Sequence, residues 1–283
     1  MQLYIWRHFQ ILVPDGWEML FYGKDAQAGR CTFADHYQHR LEFNWSVVPG
    51  KPDFERMIND YIAELSRADG VSDIDAACIG EWHGFVARLD EVLTSRFGRF
   101  FSDERVLVEC VFLWPQSREI GNERKVLESV KYAPCTAEGY WRWCAFGMDF
   151  LVSDGLSLQE CTMQPGKSQM TFRHPKNKLH FERFERLGMV SHWLRRPLPE
   201  WLNMRQPGAI TVRQETQETD AGQQVVRLAG DQLVLGLKRF LGTRIRYDSR
   251  AWIDALDGRL YCQTISGGKQ EITRRLAAWK ESR

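Results

Sequence analysis

The sequence lacks several features that mark large functional classes. No segment approaches the roughly 20 consecutive apolar residues that a membrane-spanning helix requires. The N-terminus lacks the basic start, the long apolar core and the small-residue cleavage site of a signal peptide. The 38 basic and 37 acidic side chains nearly cancel, so no overall field attracts nucleic acid or anionic lipid. We therefore expect a cytoplasmic protein that binds neither nucleic acid nor membranes.

Motifs for cofactors are also missing. The glycines form neither a GxGxxG nor a GxxxxGK[ST] loop, which excludes nucleotide-phosphate loops of those kinds. The seven cysteines are odd in number and include no Cys-x-x-Cys pair, so a disulfide framework is disfavoured and reduced thiols are expected. No cysteine has an evident activating base, and Cys135 is predicted to be the most exposed of them. We predict no cofactor.

What the sequence does contain is a diverged repeat with a period of about 139 residues. Four segments match at about this spacing: Ile11–Trp17 with Phe150–Leu156, Thr32-Phe33 with Thr171-Phe172, Leu41-x-Phe43 with Leu179-x-Phe181, and Val86–Leu89 with Val225–Leu228. The last match suggests a buried arginine in each copy, Arg88 and Arg227. The repeat predicts two copies of one domain, residues 1–134 and 140–283, joined by a short segment with Pro and Gly at its ends.

Hydrophobic patterning predicts strands and two helices in each copy. In the first copy, a helix is predicted from Asp53 to about Ala68 and another from Asn122 to about Tyr132. In the second copy, Pro197 and Pro199 should break or shorten the first helix, and a last helix is expected over Lys269–Lys280. Asp257-Gly258 is a strong signal for a hairpin turn. We therefore predict an α+β fold, in which each copy is an antiparallel sheet covered by helices.

One turn and the helix that follows it carry a resemblance to a known family. The turn Val13-Pro14-Asp15-Gly16-Trp17 after the first strand, followed by hairpins and the helix that begins at Asp53, resembles the PsbP-like superfamily. That group includes photosystem II extrinsic proteins and Ran-release factors of nuclear import. The resemblance implies an α/β/α sandwich in each copy, used for binding and usually without catalysis. It transfers no ligand-binding residue to this chain.

The most metal-like cluster is His36-x-x-His39, close to Asp35 and Cys31. Imidazole and thiolate are good ligands for zinc or copper, and this spacing can converge in a turn. A structural zinc site needs four ligands, however, and solvated histidines at a hairpin explain the pattern more simply. The metal site at His36 and His39 therefore belongs to an alternative interpretation, in which the chain is a metal-dependent or small-molecule enzyme with its site between the repeats.

The main interpretation is a non-catalytic module that binds another protein or a ligand. The repeat conserves strand and turn positions rather than polar chemistry, which favours a scaffold. Among the 11 tryptophans, three fall in or beside irregular segments and are predicted to form a partner-binding surface: Trp17, Trp193 and Trp201. A related hypothesis places the partner contact on the Pro-interrupted segment Met189–Arg205.

Overall fold

The computed structural model describes the chain as two compact units. Unit 1 comprises Met1–Pro134 and Trp143–Phe146, and unit 2 comprises Cys135–Arg142 and Gly147–Arg283. The described residues are 1–188, 190, 194–206, 210–220, 223–233, 244–268 and 272. They form nineteen strands and three helices of defined bounds. The helix predicted over Lys269–Lys280 and most of the segment 189–193 lie outside the described residues.

Unit 1 is built around a seven-stranded antiparallel sheet. The sheet consists of β3 (Glu18–Tyr22), β4 (Ala28–Ala34), β5 (His39–Val47), β6 (Val71–Ile79), β7 (Trp82–Leu89), β8 (Val92–Phe101) and β9 (Val106–Trp114), in the order β3-β4-β5-β9-β8-β7-β6. A hairpin of β1 (Gln2–Trp6) and β2 (Phe9–Val13) precedes it, and the short strand β10 (Lys131–Tyr132) pairs with β2. Helix α1 (Phe54–Leu65) connects β5 to β6, and α2 (Ile120–Ser129) follows β9.

Unit 2 repeats this topology. After β11 (Tyr140–Ala145) and β12 (Met148–Ser153), its strands are β13 (Ser157–Gln164), β14 (Lys167–His174), β15 (Asn177–Leu187), β16 (Ile210–Asp220), β17 (Gln223–Leu233), β18 (Arg244–Ile253) and β19 (Leu260–Gly267). They pair in the order β13-β14-β15-β19-β18-β17-β16, which is the order of unit 1 with every strand number raised by ten. Helix α3 (Leu198–Met204) takes the place of α1. The two sheets therefore share one connectivity.

The predicted α+β fold, with an α/β/α sandwich in each unit, is wrong. The described chain consists mainly of antiparallel strands, and its three helices have only 12, 10 and 7 residues. A helical layer forms when helices bury an apolar stripe against a sheet. Helix α1 has such a stripe, but none of its side chains is buried. Amphipathic spacing therefore predicted the helix correctly and its packing incorrectly.

The core of unit 1 lies on one face of its sheet. Alternate residues of β5 and β9 point into it, and the most deeply buried are Leu41, Phe43, Val108, Cys110, Phe112 and Trp114. Helix α2 closes this side with Val126 and Leu127, and the Trp82 indole donates to the Leu127 carbonyl at 3.0 Å. The buried carboxylate of Glu123 accepts hydrogen bonds from Ser95 and from Arg118. In this unit α2, rather than α1, is the helix that belongs to the core.

Strand pairing shows that two of the four sequence matches do not align equivalent residues of the two sheets. The first is the match of Leu41 with Leu179. Phe33 pairs with Leu41, but its counterpart Phe172 pairs with Glu182. Glu182 is 1% exposed and accepts from the Ser153 hydroxyl at 2.7 Å, whereas Leu179, the predicted match of Leu41, is 39% exposed. The β14–β15 hairpin is therefore two residues longer than the β4–β5 hairpin.

The second mismatch is that of Arg88 with Arg227: these arginines do not occupy equivalent positions, and neither is buried as predicted. Val86 pairs with Ser95, and the residue of unit 2 in that position is Ala229, which pairs with Asp248. The Arg88 and Arg227 side chains are 38% and 20% exposed. They form ion pairs with Asp73 at 3.2 Å and with Asp248 at 2.6 Å, respectively.

The β1–β2 turn yields a prediction about pH. Arg7 and His8 both have a left-handed backbone, with φ of 48° and 69°, as a two-residue hairpin turn of this type requires. Burial disfavours the imidazolium and the Arg7 charge repels it, so the pKa of His8 falls from 6.5 to about 4. Because the unfolded chain binds this proton more readily, His8 contributes stability above pH 6.5 that is lost as the pH falls toward 4.

We predict that His8→Asn removes part of this pH dependence, since asparagine tolerates the left-handed backbone. Between about pH 7.5 and about pH 5, the free energy of unfolding of the wild type should fall by about 2 kcal/mol more than that of the variant. Urea denaturation at both pH values measures this difference. Equal falls in the two proteins would contradict the proposed burial of His8.

Candidate functional site

Helix α1 has an apolar face that the protein buries only in part, since Phe54, Ile58, Ile62 and Leu65 are half-buried. The Asp53 side chain caps its N-terminus by accepting from the Arg56 amide at 3.1 Å. One stripe of the helix carries Phe54, Met57, Ile58, Tyr61, Ile62 and Leu65, which we call the α1 face. Met57 is 47% exposed and Tyr61 is 38% exposed. A surface helix of a globular protein normally buries such a stripe, so the α1 face is an unusual apolar surface.

A cleft separates α1 from the sheet beneath it. One part has a volume of about 170 Å³ and lies between Met57 and Tyr61 of the helix and Phe85, Arg96 and Leu107 of the sheet. A wider part of about 570 Å³ lies between the N-terminal half of α1 and the β6–β7 hairpin. Gly98 forms part of the floor, and a Cβ there would lie 3.1 Å from the Phe54 ring. The helix approaches the sheet at this point because residue 98 has no side chain.

Charged side chains occupy the sheet face under α1. Arg96 donates to Glu109 from Nε at 2.5 Å and from Nη2 at 3.0 Å. The amide of Asn44 donates to the same carboxylate at 3.1 Å. Arg96 also bonds the Tyr61 hydroxyl and lies 4.6 Å from the centre of its ring. Burial alone would lower the pKa of Arg96, but the hydrogen bond and the charge of Glu109 together raise it. Arg96 therefore stays charged and positions Tyr61.

The same face in unit 2 is mostly apolar and filled, although it includes the buried Glu185, which accepts a hydrogen bond from Arg205 at 2.6 Å. Strand pairing aligns Asn44, Glu109, Gly98 and His83 of unit 1 with Glu185, Cys262, Ala251 and Val226 of unit 2. Helix α3 packs on this floor and buries Trp201 and Leu202. The resulting cluster contains Leu187, Trp201, Leu202, Val226, Leu228, Ala251, Leu260 and Cys262. The two units thus share one topology, but the helix buries side chains against the sheet in unit 2 and does not fully bury any in unit 1.

The tryptophans predicted to bind a partner do not form an exposed surface. Trp17 is 6% exposed, and its ring centre lies 6.3 Å from that of Trp114. Trp201 is 9% exposed within the cluster under α3, with the Arg205 guanidinium 4.7 Å from its ring. Trp193 lies outside the described residues. Trp17 and Trp201 are packed into cores; the exposed apolar side chains of unit 1 include Met57 and Tyr61 of α1 and Leu20 and Phe21 of β3.

The hairpin with His36 and His39 does not assemble the predicted metal site. Both histidines are exposed near the β4–β5 turn, whereas Cys31 is buried in β4 and 1% exposed. Asp35 is occupied by the turn, since it accepts from the Tyr37 amide at 2.8 Å and from Arg40 Nε at 2.6 Å. Within the described ranges, no three His, Cys, Asp or Glu side chains are grouped so that they could hold a metal ion.

Sequence reasoning missed the cleft although one signal was available. Gly84 and Gly98 interrupt β7 and β8, and a glycine inside a strand often marks a place where another group approaches the backbone.

No helix in the described part of the chain is long and apolar enough to cross a bilayer.

We predict that equivalent truncations on α1 and α3 have unequal costs. Leu202→Ala removes a side chain that is fully buried and should lower the free energy of unfolding by about 2–5 kcal/mol. Met57→Ala removes a half-exposed side chain and should cost less than about 1 kcal/mol. Urea denaturation of both variants measures the difference. Similar large losses would show that the α1 face is part of a core.

Comparison with known proteins does not assign the chain to a family. No protein-family model matches the sequence, and no curated protein matches it. Among solved structures, the immunity protein TplEi of the T6SS from Pseudomonas aeruginosa is 7% identical over 92% of this chain and 93% of that chain, with a TM-score of 0.35. The Tle4–Tli4 complex is 8% identical over 89% of this chain and 86% of that chain, with a TM-score of 0.34.

A third similar structure comes from Bacteroides thetaiotaomicron. It is 14% identical, and the match covers 45% of this chain and 46% of that chain, with a TM-score of 0.29. The match thus spans less than half of that structure. All three TM-scores lie below 0.5, so these resemblances define neither the fold family nor the function of the chain.

Proposed function

We propose that this protein is a non-catalytic binding module and that unit 1 holds a protein partner against the α1 face. The observation that carries the proposal is the contrast between the two units. Helix α3 buries Trp201 and Leu202 on a mostly apolar floor, whereas all six apolar side chains of α1 remain at least partly exposed. A partner that covers the α1 face would supply the burial that the sheet of unit 1 does not supply.

The sheet beneath α1 explains why the protein cannot close this surface itself. Arg96 and Glu109 lie on the sheet face that α1 would have to cover, and their side chains are 30% and 28% exposed. Covering them with apolar side chains would remove both charges from water at a high desolvation cost. The helix is therefore held beside the charged pair through Tyr61, and the exposed part of its apolar stripe around Met57 stays available to another protein.

The charges around α1 indicate the chemistry of the partner. Between Lys51 and Glu91 the sequence has ten acidic and four basic side chains, although the whole chain is balanced. Helix α1 and its cap contribute four of these acids: Asp53, Glu55, Asp60 and Glu64. A surface of this kind fits a protein that presents apolar anchors surrounded by lysine and arginine, because opposite potentials favour encounter and orientation.

The cysteines support a reducing location. Cys78, Cys110, Cys135 and Cys262 are free thiols, as expected for a protein of the cytoplasm. We therefore include a cytoplasmic site of action in the proposal.

We predict that a charge on the α1 face prevents partner binding. Met57→Glu and Ala63→Glu introduce the same charge on one helix, and only Met57 belongs to the α1 face; Ala63 is exposed on the other side. Proteins captured from the source cell by the wild type would be identified, and the strongest one purified. Its Kd should rise at least about tenfold with Met57→Glu, because a hot-spot contact is lost and a charge is desolvated.

The matched variant and the salt dependence decide the outcome. Ala63→Glu should leave the Kd within about twofold, since an exposed charge has a small effect. Association with the wild type should slow as salt is raised from about 0.05 to about 0.5 M, because salt screens the attraction. A partner that both variants bind as tightly as the wild type would show that the α1 face is not the binding surface.

A further inference from the structure

Cys78 and His83 form a close pair at the edge of the cleft. They lie opposite each other on β6 and β7, and Cys78 Sγ is 3.7 Å from His83 Nδ1. Cys78 is the exposed cysteine of the chain; Cys135 and Cys144 are partly exposed, and Cys31, Cys110, Cys161 and Cys262 are buried. Four residues separate Cys78 from His83 in the sequence, and strand pairing brings the two side chains together.

The surroundings of His83 hold its ring against the thiol. Its ring stacks on that of Phe54, with centres 5.1 Å apart and planes inclined by 21°. Cys78 and His83 both line the 570 Å³ part of the cleft. An imidazole fixed within hydrogen-bonding distance of a thiol is the arrangement that activates nucleophilic cysteines. The open cleft beside them leaves room for a small reagent.

We infer that Cys78 is a nucleophilic thiol, that His83 is its proton acceptor, and that the pair forms mixed disulfides with small cationic disulfides. This activity is separate from the proposed binding of a protein partner. With the ring proton on Nε2, His83 Nδ1 can take the thiol proton. The sulfur electron pair of Cys78 then attacks one sulfur of the reagent.

This thiol–disulfide exchange needs no oxidant other than the disulfide reagent itself. The new S–S bond to Cys78 forms as the S–S bond of the reagent breaks, and the electron pair of that bond leaves with the second sulfur. The departing thiolate recovers the proton from the His83 imidazolium. Cys78 is oxidised to a mixed disulfide, and the departing half of the reagent is reduced to a thiol.

The charges of the cleft set the preference for a cationic reagent. The charged groups that line the part with Cys78 are Asp53 and Glu55 on the helix side and Lys51 before it. The wider segment from Lys51 to Glu91 is acidic, with ten acidic and four basic side chains. Such a field attracts a cation and repels an anion.

The wild-type protein provides the first test. Reduced protein is treated with cystamine, a dication, or with oxidised glutathione, an anion overall, and the adducts are located by peptide mass mapping. Cys78 should be modified first, and cystamine should react with it at least about tenfold faster than oxidised glutathione at low salt. Cys135 is the internal control: burial, followed by the charges of Asp154 and Glu138, raises the pKa of its thiol. Modification of Cys135 as fast as Cys78 would overturn the inference.

Two sets of variants test the assigned roles. His83→Gln should slow the reaction of Cys78 about tenfold, because it removes the proton acceptor. The double variant Asp53→Asn/Glu55→Gln should reduce the preference for cystamine while retaining the helix cap, since asparagine caps as well as aspartate. An unchanged rate in a folded His83→Gln protein would refute activation by His83. If that variant does not fold, equal wild-type rates with the two disulfides would still refute the cationic preference.

Discussion

The ion pair between Arg96 and Glu109 determines how unit 1 differs from unit 2. It lies on the sheet face under α1, and its two side chains are 30% and 28% exposed. A helix that covered this pair completely would have to desolvate both charges, so α1 contacts the pair through Tyr61 and leaves a cleft beside it. Unit 2 has Cys262 in the position of Glu109 and Ser249 in that of Arg96, and there α3 packs onto an apolar cluster beside the ion pair of Glu185 and Arg205. The partly exposed helix and the cleft of unit 1 are consistent with this difference.

The duplicated topology thus carries a packed helix in unit 2 and a partly exposed helix in unit 1. Both units keep one strand order and one helix between the third and fourth strands of the repeat. Unit 2 uses that helix for its own core, whereas unit 1 leaves the helix face open within an acidic region. A shared connectivity does not require a shared function, because function depends on the side chains that the scaffold presents. In this protein a few residues on one sheet face make the difference.

The local elements could be predicted from the sequence, and their packing could not. The helix expected from Asp53 is α1, with Asp53 as its cap, and the Asp257-Gly258 turn lies between β18 and β19 as expected. The α+β sandwich was wrong because amphipathic spacing shows that a helix has an apolar face without showing what covers it. The match of Leu41 with Leu179 failed because hairpin length changes the register, which short identities cannot reveal. Cys78 and His83 were overlooked as a pair because their proximity arises across two strands.

Amide hydrogen exchange tests most directly whether the α1 face is only loosely covered in the isolated protein. Helices α1 and α2 belong to the same unit, and α2 buries Glu123, Val126, Leu127 and Ser129 whereas α1 buries no side chain. Amides of α1 should therefore exchange through local opening, at least about tenfold faster than those of α2 after correction for intrinsic rates. Equal protection of Phe54–Leu65 and Ile120–Ser129 would show that α1 is part of the core and would contradict the account.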